Sequence, residues 1–342
     1  MKKLDIWVVI ALTGLCSFGL FNIFGIKREL FGNQMVFSLL GFSSLFLFLK
    51  IGTDFFRLNS RIIYSLFIVL LLVTFFFGEN IRGSQRWINV FFFNFQPSEF
   101  LKPFFVILLA DLFASKASLL KKMCLSFVIF IVPFLLILRQ PDLGNALIYA
   151  GVYVSVLFFS GVTLFFFAVV AIFIILFFPL FWNSLHSYQR ERVISFLEPE
   201  DYSRNISYNL IQSIITVGSG AFFGRGLGYG TQSRFLFLPE FHTDFAYASL
   251  AEQFGFVGGS IVLIFFALLC YRLLLKARQL KNDRFKYLFT VGGCLYILIS
   301  VFVNIGMNLG LLPVTGIALP FISYGGSSMI SNMILVGLLL SL

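Results

Sequence analysis

The sequence predicts an all-α polytopic membrane protein, with about ten transmembrane helices and one large extracytoplasmic loop. Three observations carry this. Only 12% of the 342 residues are charged, about half the ~25% of a soluble domain. Mean hydropathy is +0.96. The apolar residues, 59% of the chain, gather in runs long enough to cross a hydrocarbon core, which takes about 20 helical residues.

In chain order the runs fall at 6–26, 34–49, 62–77, 98–114, 123–138, 144–160, 162–181, 245–275, 287–308 and 327–342. The shorter ones span when flanking cations such as Lys50 reach to the interface. The first has the outline of a signal peptide but no small-residue cleavage site follows it, so it reads as a retained span. Spans and connections together read as one domain over 1–342, with the long loop at about 182–244.

Ten spans put both ends of the chain on one side. Of the 25 Lys and Arg, 14 lie in the first segment and the connections on its side, and 6 in the short connections opposite. That bias places the termini in the cytoplasm and the long loop outside. The net charge of +10 therefore reads as membrane orientation. No nucleic-acid signature accompanies it. The four cysteines lie in apolar runs without CxxC spacing, so neither a disulfide framework nor a metal site is indicated. The glycine run 218–230 lacks the GK[ST] ending of a phosphate loop and reads as a flexible, tightly turning loop.

The polar residues that a span would not tolerate by chance gather on the outer side. Asp244 and His242 stand where the long loop re-enters a span, and Glu252 follows on nearly the same helical face. Asp244 reads either as a general base on a sugar hydroxyl or as a helix cap. His242 reads as a hydrogen-bond donor to substrate or as a loop residue. Glu99 and Lys102 share a face at i, i+3, as a cavity-facing pair or an interfacial one. Arg139 and Asp142 flank a proline, as turn and cap chemistry or as a phosphate site. Arg86 and Trp87 join a cation to an interfacial aromatic, which suits pyrophosphate and sugar or an aromatic belt. Asn304 and Asn308, at i, i+4, read as helix-to-helix hydrogen bonding. Asn209, Gln212, Ser213 and Thr216 mark an amphipathic helix in the long loop. The stretch 311–326 is apolar but broken by Pro313, Pro320 and glycines, so it reads as dipping into the protein.

These motifs resemble a known family. GSQRWI, QPSEFLK, RQPDLG, RV-x-x-FL-x-P from Arg192, the stretch 212–220, LPEFHTDF and NIGMNLGLLPVTGIALPFISYGGSS are similar, in order, to those of the SEDS family, the RodA and FtsW peptidoglycan polymerases. The last two motifs look more like the RodA branch. Ala246-Tyr247 and Ala318 depart from the usual pattern. The resemblance implies a glycosyltransferase that polymerises lipid II on the outer face of the cytoplasmic membrane, for cell elongation and shape. It implies Asp244 as the catalytic residue and matches Trp87, Glu99, Lys102, Asp142 and Arg192 to the family's motif residues, while Arg86, Arg139 and His242 stand beside them as candidate substrate contacts on the reading of the residues themselves. It implies lipid II and an undecaprenyl-pyrophosphate-linked glycan as substrates and a class B penicillin-binding protein as partner. A divalent cation, Mg or Mn, near Asp244 would fit that chemistry. A lipid II flippase, a division-specific polymerase of the FtsW type and a non-catalytic scaffold are the competing readings.

Overall fold

The computed structural model describes residues 5–81, 84–90, 93–184, 187–197 and 205–342. All ten apolar runs are helices. They are α1 (Ile6–Ile26), α2 (Arg28–Ile51), α4 (Ser60–Phe77), α5 (Pro97–Ala114), α6 (Leu119–Arg139), α7 (Leu143–Phe159), α8 (Leu164–Ser184), α12 (Ala246–Gln279), α13 (Arg284–Asn308) and α14 (Gly326–Ser341), with the short α3 (Thr53–Leu58) between the second and third. Six are long and apolar enough to cross a membrane, while α7, α14 and Leu164–Phe177 of α8 are shorter apolar helices. The tenth, α5, carries Glu99, Lys102 and Asp111 and is otherwise buried along most of its length.

The long loop is itself structured, as α9 (Ser187–Leu197), α10 (Asn205–Ser219) and α11 (Thr231–Arg234). The expected amphipathic helix is α10, and its polar side faces inward. Ser213 and Thr216 are buried while Ile214 and Ile215 are exposed, and Ser213 Oγ donates to the Asn308 carbonyl at 2.9 Å. That orientation suits a helix lining a polar interior with apolar surface outside.

One element was not foreseen. The connection between α4 and α5 forms an antiparallel sheet of β1 (Glu79–Ile81), β2 (Ser84–Val90) and β3 (Phe93–Phe95), in the order β1-β2-β3. Its Trp, Ile, Val and Phe suit a half-buried pleated surface, a signal submerged in a sequence rich in such residues throughout.

The buried helix α13 packs against α5, α7, α10, α12 and α14, and α14 lies along α2. The two ends of the bundle differ. At one end Arg272 pairs with Asp5 at 2.7 Å, Thr53 Oγ1 donates to the Leu338 carbonyl at 2.8 Å, and Arg57 pairs with Asp111 at 2.7 Å. At the other end lie the sheet, the segment 309–325, and the starts of α5, α7, α12 and α14, tied by Ser327 Oγ donating to the Asn94 carbonyl at 2.7 Å. Most residues of 314–323 are buried, so this segment does enter the protein.

Helix α12 breaks at Gly255, where φ is 67° and ψ is −167°. A break in a membrane helix frees backbone groups that lipid cannot satisfy. Here the glycine run satisfies them. The Glu252 and Gln253 carbonyls accept from the Arg225 and Gly226 N–H groups at 2.9 and 3.0 Å, and the Phe256 and Val257 N–H groups donate to Ala221 and Phe222 at 3.0 and 3.1 Å. A Cβ at Gly224 would lie 2.2 Å from the Gln253 carbonyl oxygen. The run expected to be flexible is therefore a fitted partner of the break. The buried Glu252 carboxylate fastens the next turn, accepting from Gln232 N at 2.8 Å, Ser233 N at 3.0 Å and Ser233 Oγ at 2.7 Å.

Candidate active site

Asp244 sits in the turn just before α12, and its main chain is held from two sides. Asn304 and Asn308, one turn apart on α13, both donate to the Asp244 carbonyl, at 3.0 and 3.1 Å. Asn304 Nδ2 also donates to the Ile317 carbonyl at 2.7 Å, and Asn308 Oδ1 accepts from the Ala248 N–H at 3.0 Å. From the buried segment, Ser323 Oγ donates to the Thr243 carbonyl at 2.6 Å and the Tyr324 N–H to the His242 carbonyl at 2.8 Å. Glu240 and Phe321 flank these ties with φ of 51° and 65°. That conformation costs a non-glycine residue about 1–2 kcal/mol, so the surrounding bonds over-determine the turn, as at sites that need a fixed geometry.

The Asp244 carboxylate points at Gly316, whose φ is 76°. A Cβ there would lie 3.4 Å from Asp244 Oδ2 and 3.7 and 3.8 Å from the two terminal nitrogens of Arg192. Glycine thus permits the left-handed backbone and lets both the acid and the guanidinium come close to it. Burial pushes the Asp244 pKa up to about 6, and Glu240 adds to the rise. Arg192 and then Arg86 act in the opposite sense. A carboxylate poised near 6 is mostly ionised at neutral pH yet basic enough to take a proton.

The predicted site residues fall into three groups. Asp244, Arg192, Arg86 and Asp142 come close enough together for their charges to act on Asp244. Asp142 caps α7, accepting from Asn145 N at 3.1 Å, and also takes Gln96 Nε2 at 3.1 Å and Arg86 at 3.6 Å. The cap reading of Asp142 is realised, and the carboxylate also pairs with a cation. Arg86 also donates to the Gln140 carbonyl at 3.0 Å and to the Pro141 carbonyl. The cation at Asp142 is therefore Arg86, while Arg139 ends α6 exposed. Trp87 follows Arg86 on β2, and the Arg86 guanidinium lies over the Trp87 ring, 6.0 Å from its centroid, so the cation and the aromatic stay together.

The second group is the pair on α5. Lys102 Nζ donates to Glu99 Oε1 at 2.6 Å with both side chains buried, so the pair is not an interfacial one. Glu99 Oε2 has no hydrogen-bond partner among the described residues. The Glu99 carbonyl accepts from Ser331 Oγ at 2.6 Å, which ties α5 to α14. The third is His242, whose ring packs edge-on to Phe241 and Tyr324, with centroids 5.0 and 5.7 Å away. Glu252, the other residue of the opening motif, organises the loop. Pro199 of the arginine motif lies outside the described residues.

Sequence reasoning missed the roles of Asn304, Asn308, Gly316 and Ser323. Two asparagines within a span at i, i+4 were visible, but nothing local said which backbone they would hold. Among the described residues no cluster of three or more His, Cys, Asp or Glu is placed to hold a metal. Magnesium held by one or two carboxylates, water and substrate phosphates needs no such cluster, and Asp244 with Glu240 beside it fits that minimal donor set.

The family model for FtsW, RodA and SpoVE cell cycle proteins matches residues 3–342. The peptidoglycan glycosyltransferase MrdB of Escherichia coli K12 is 39% identical over 82% of this chain and 76% of its own. A solved chain of a peptidoglycan synthase complex that coordinates polymerization and crosslinking superposes with a TM-score of 0.85, at 27% identity, over 99% of this chain and 97% of that one. The crystal structure of the Thermus thermophilus rod shape determining protein RodA gives 0.74, at 26% identity, over 98% and 95%. The chain belongs to the FtsW, RodA and SpoVE family, more like its RodA members.

Proposed function

We propose that this chain is a peptidoglycan glycosyltransferase that polymerises lipid II for cell elongation, with Asp244 as its general base. The observation that carries the reading is the Asp244 carboxylate, shifted to about 6, set across Gly316 from the Arg192 guanidinium. In the reaction, Asp244 takes the proton from the GlcNAc 4-hydroxyl of lipid II as that oxygen attacks the reducing-end MurNAc of the growing glycan. The bond from that sugar to undecaprenyl pyrophosphate breaks with inversion. The leaving group already bears phosphates, so it needs charge stabilisation more than protonation. Arg192 is the nearer cation for that task, and Arg86 with Asp142 the more distant one. A divalent cation, if bound, would be held by Asp244 with Glu240 beside it and would supply Lewis-acid charge to the leaving group.

The excess of Lys and Arg at the other end of the bundle supports an extracytoplasmic site with both ends of the chain in the cytoplasm. A site facing outward uses no nucleotide sugar. A class B penicillin-binding protein is the proposed partner, since strands made here need cross-linking. The test is polymerisation of lipid II by the purified protein, with and without chelator. Wild type makes polymer, Asp244→Asn makes none while its thermal unfolding is preserved, and polymer from the variant would sink the assignment. Headgroup flipping in liposomes without polymer would instead favour a flippase.

A further inference from the structure

The end of the bundle away from Asp244 holds a cavity of about 520 Å³, lined by Asp54, Arg57, Leu58, Ser60, Arg61 and Asp111. Two of its charges are already used. Arg57 Nε donates to Asp111 Oδ1 at 2.7 Å, and the same guanidinium lies 4.2 Å over the Phe285 ring centroid. The other two are not. Asp54 and Arg61 are exposed and form no hydrogen bond or ion pair with the described residues.

We infer that this cavity seats the headgroup of a zwitterionic phospholipid bearing a primary ammonium, with its phosphodiester on Arg61 and its ammonium on Asp54. The charge balance argues for a zwitterion. Two acids and two bases line the cavity, so a lone anion or cation meets repulsion from one of the unused pair, whereas a ligand with both charges satisfies each. The volume lies in the ~300–1,000 Å³ range of small-molecule sites. The surroundings argue for a lipid. From the cavity rim, Ile62, Leu66, Val69, Val73 and Phe76 form an exposed apolar stripe along α4. The spacing is that of one helical face. Over 14 residues it runs about 21 Å, more than the ~15 Å depth of one leaflet. An acyl chain on this stripe brings its headgroup to Arg61. Leu58, which lines the cavity, is 85% exposed, as a side chain at the membrane interface would be.

The test uses the delipidated full-length protein in detergent and reads lipid retention by native mass spectrometry. The added lipids are phosphatidylethanolamine, phosphatidylcholine and phosphatidylglycerol with matched chains, and the soluble tail-less glycerophosphoethanolamine. Phosphatidylethanolamine is expected to bind about tenfold more tightly than phosphatidylcholine, whose quaternary ammonium cannot donate to Asp54. The tail-less headgroup is expected not to compete. Asp54→Asn is expected to erase the preference between the two zwitterions, and Arg61→Ala to weaken both about tenfold. Equal binding of all three lipids by wild type would overturn the proposal, as would variants that bind like wild type. Full competition by the soluble headgroup would overturn the lipid as occupant. Should a variant fail to fold, the wild-type series still decides.

Discussion

Replacing Asn308 by leucine separates the positioning of Asp244 from its chemistry. Asn308 is fully buried, and leucine has the same branched heavy-atom skeleton. The change removes the donor to the Asp244 carbonyl, which keeps Asn304. It also strands the Ala248 N–H, which has Asn308 Oδ1 as its acceptor at 3.0 Å. One buried donor without a partner costs about 1–3 kcal/mol, so the fold survives with a lowered thermal midpoint. The turn carrying Asp244 is the element that relaxes. A displacement of about 1 Å at a reacting group costs on the order of 100-fold in rate, which is about 2.7 kcal/mol of barrier. Single-turnover polymerisation of fluorescent lipid II should fall by about that factor while the apparent pKa near 6 remains, because the carboxylate keeps its neighbours. A rate within twofold of wild type in a folded variant would refute the positioning argument. A shifted pKa would show that Asn308 acts on the charge of Asp244 instead.

Other expectations follow from the same geometry. The rate should rise with pH through about 6 as Asp244 loses its proton, and a flat profile from pH 5 to 8 would exclude it as the base. Because its pKa is raised from 3.8 to about 6, the folded state holds that proton more tightly than the unfolded one. Ionised Asp244 therefore opposes folding, and the cost grows as pH rises between those values. Asp244→Asn should thus lose activity yet unfold no earlier than wild type at pH 7.5, by differential scanning fluorimetry. Gly316→Ala should place a Cβ between Asp244 and Arg192 and strain a left-handed backbone by about 1–2 kcal/mol, lowering polymerisation more than stability. Lys102→Met should destabilise by about 3–5 kcal/mol because it leaves buried Glu99 uncompensated, whereas the double change with Glu99→Gln should recover most of that. Equal midpoints for the single and double variants would show that the pair is not coupled. Glu252→Ala should free residues 219–234, read as faster proteolysis there than in wild type.

What the sequence made legible follows from how far each signal reaches along the chain. Transmembrane helices are local. Twenty apolar residues satisfy their own backbone, so the runs at 6–26 and 287–308 announce themselves, and even α5 does so despite three charges. The placement of Asp244 is not local. It depends on amides 60 and 64 residues away and on a hydroxyl 80 residues from neighbouring Thr243, and no period in the sequence encodes such pairings. The pairing of Arg86 with Asp142 is a similar case. Proximity in sequence favoured Arg139, three residues from Asp142, but the helix end carries Arg139 outward while a strand 54 residues earlier brings Arg86 to the same turn. The glycine run shows the error in its clearest form. Glycines in a loop suggest freedom, yet here they permit close approach, since the unsatisfied backbone at Gly255 must be met by another backbone and side chains would block it. Inside a membrane a broken helix has to be completed by something. The break at Gly255 and the glycine run 218–230 are therefore two halves of one device, each completing the other's backbone.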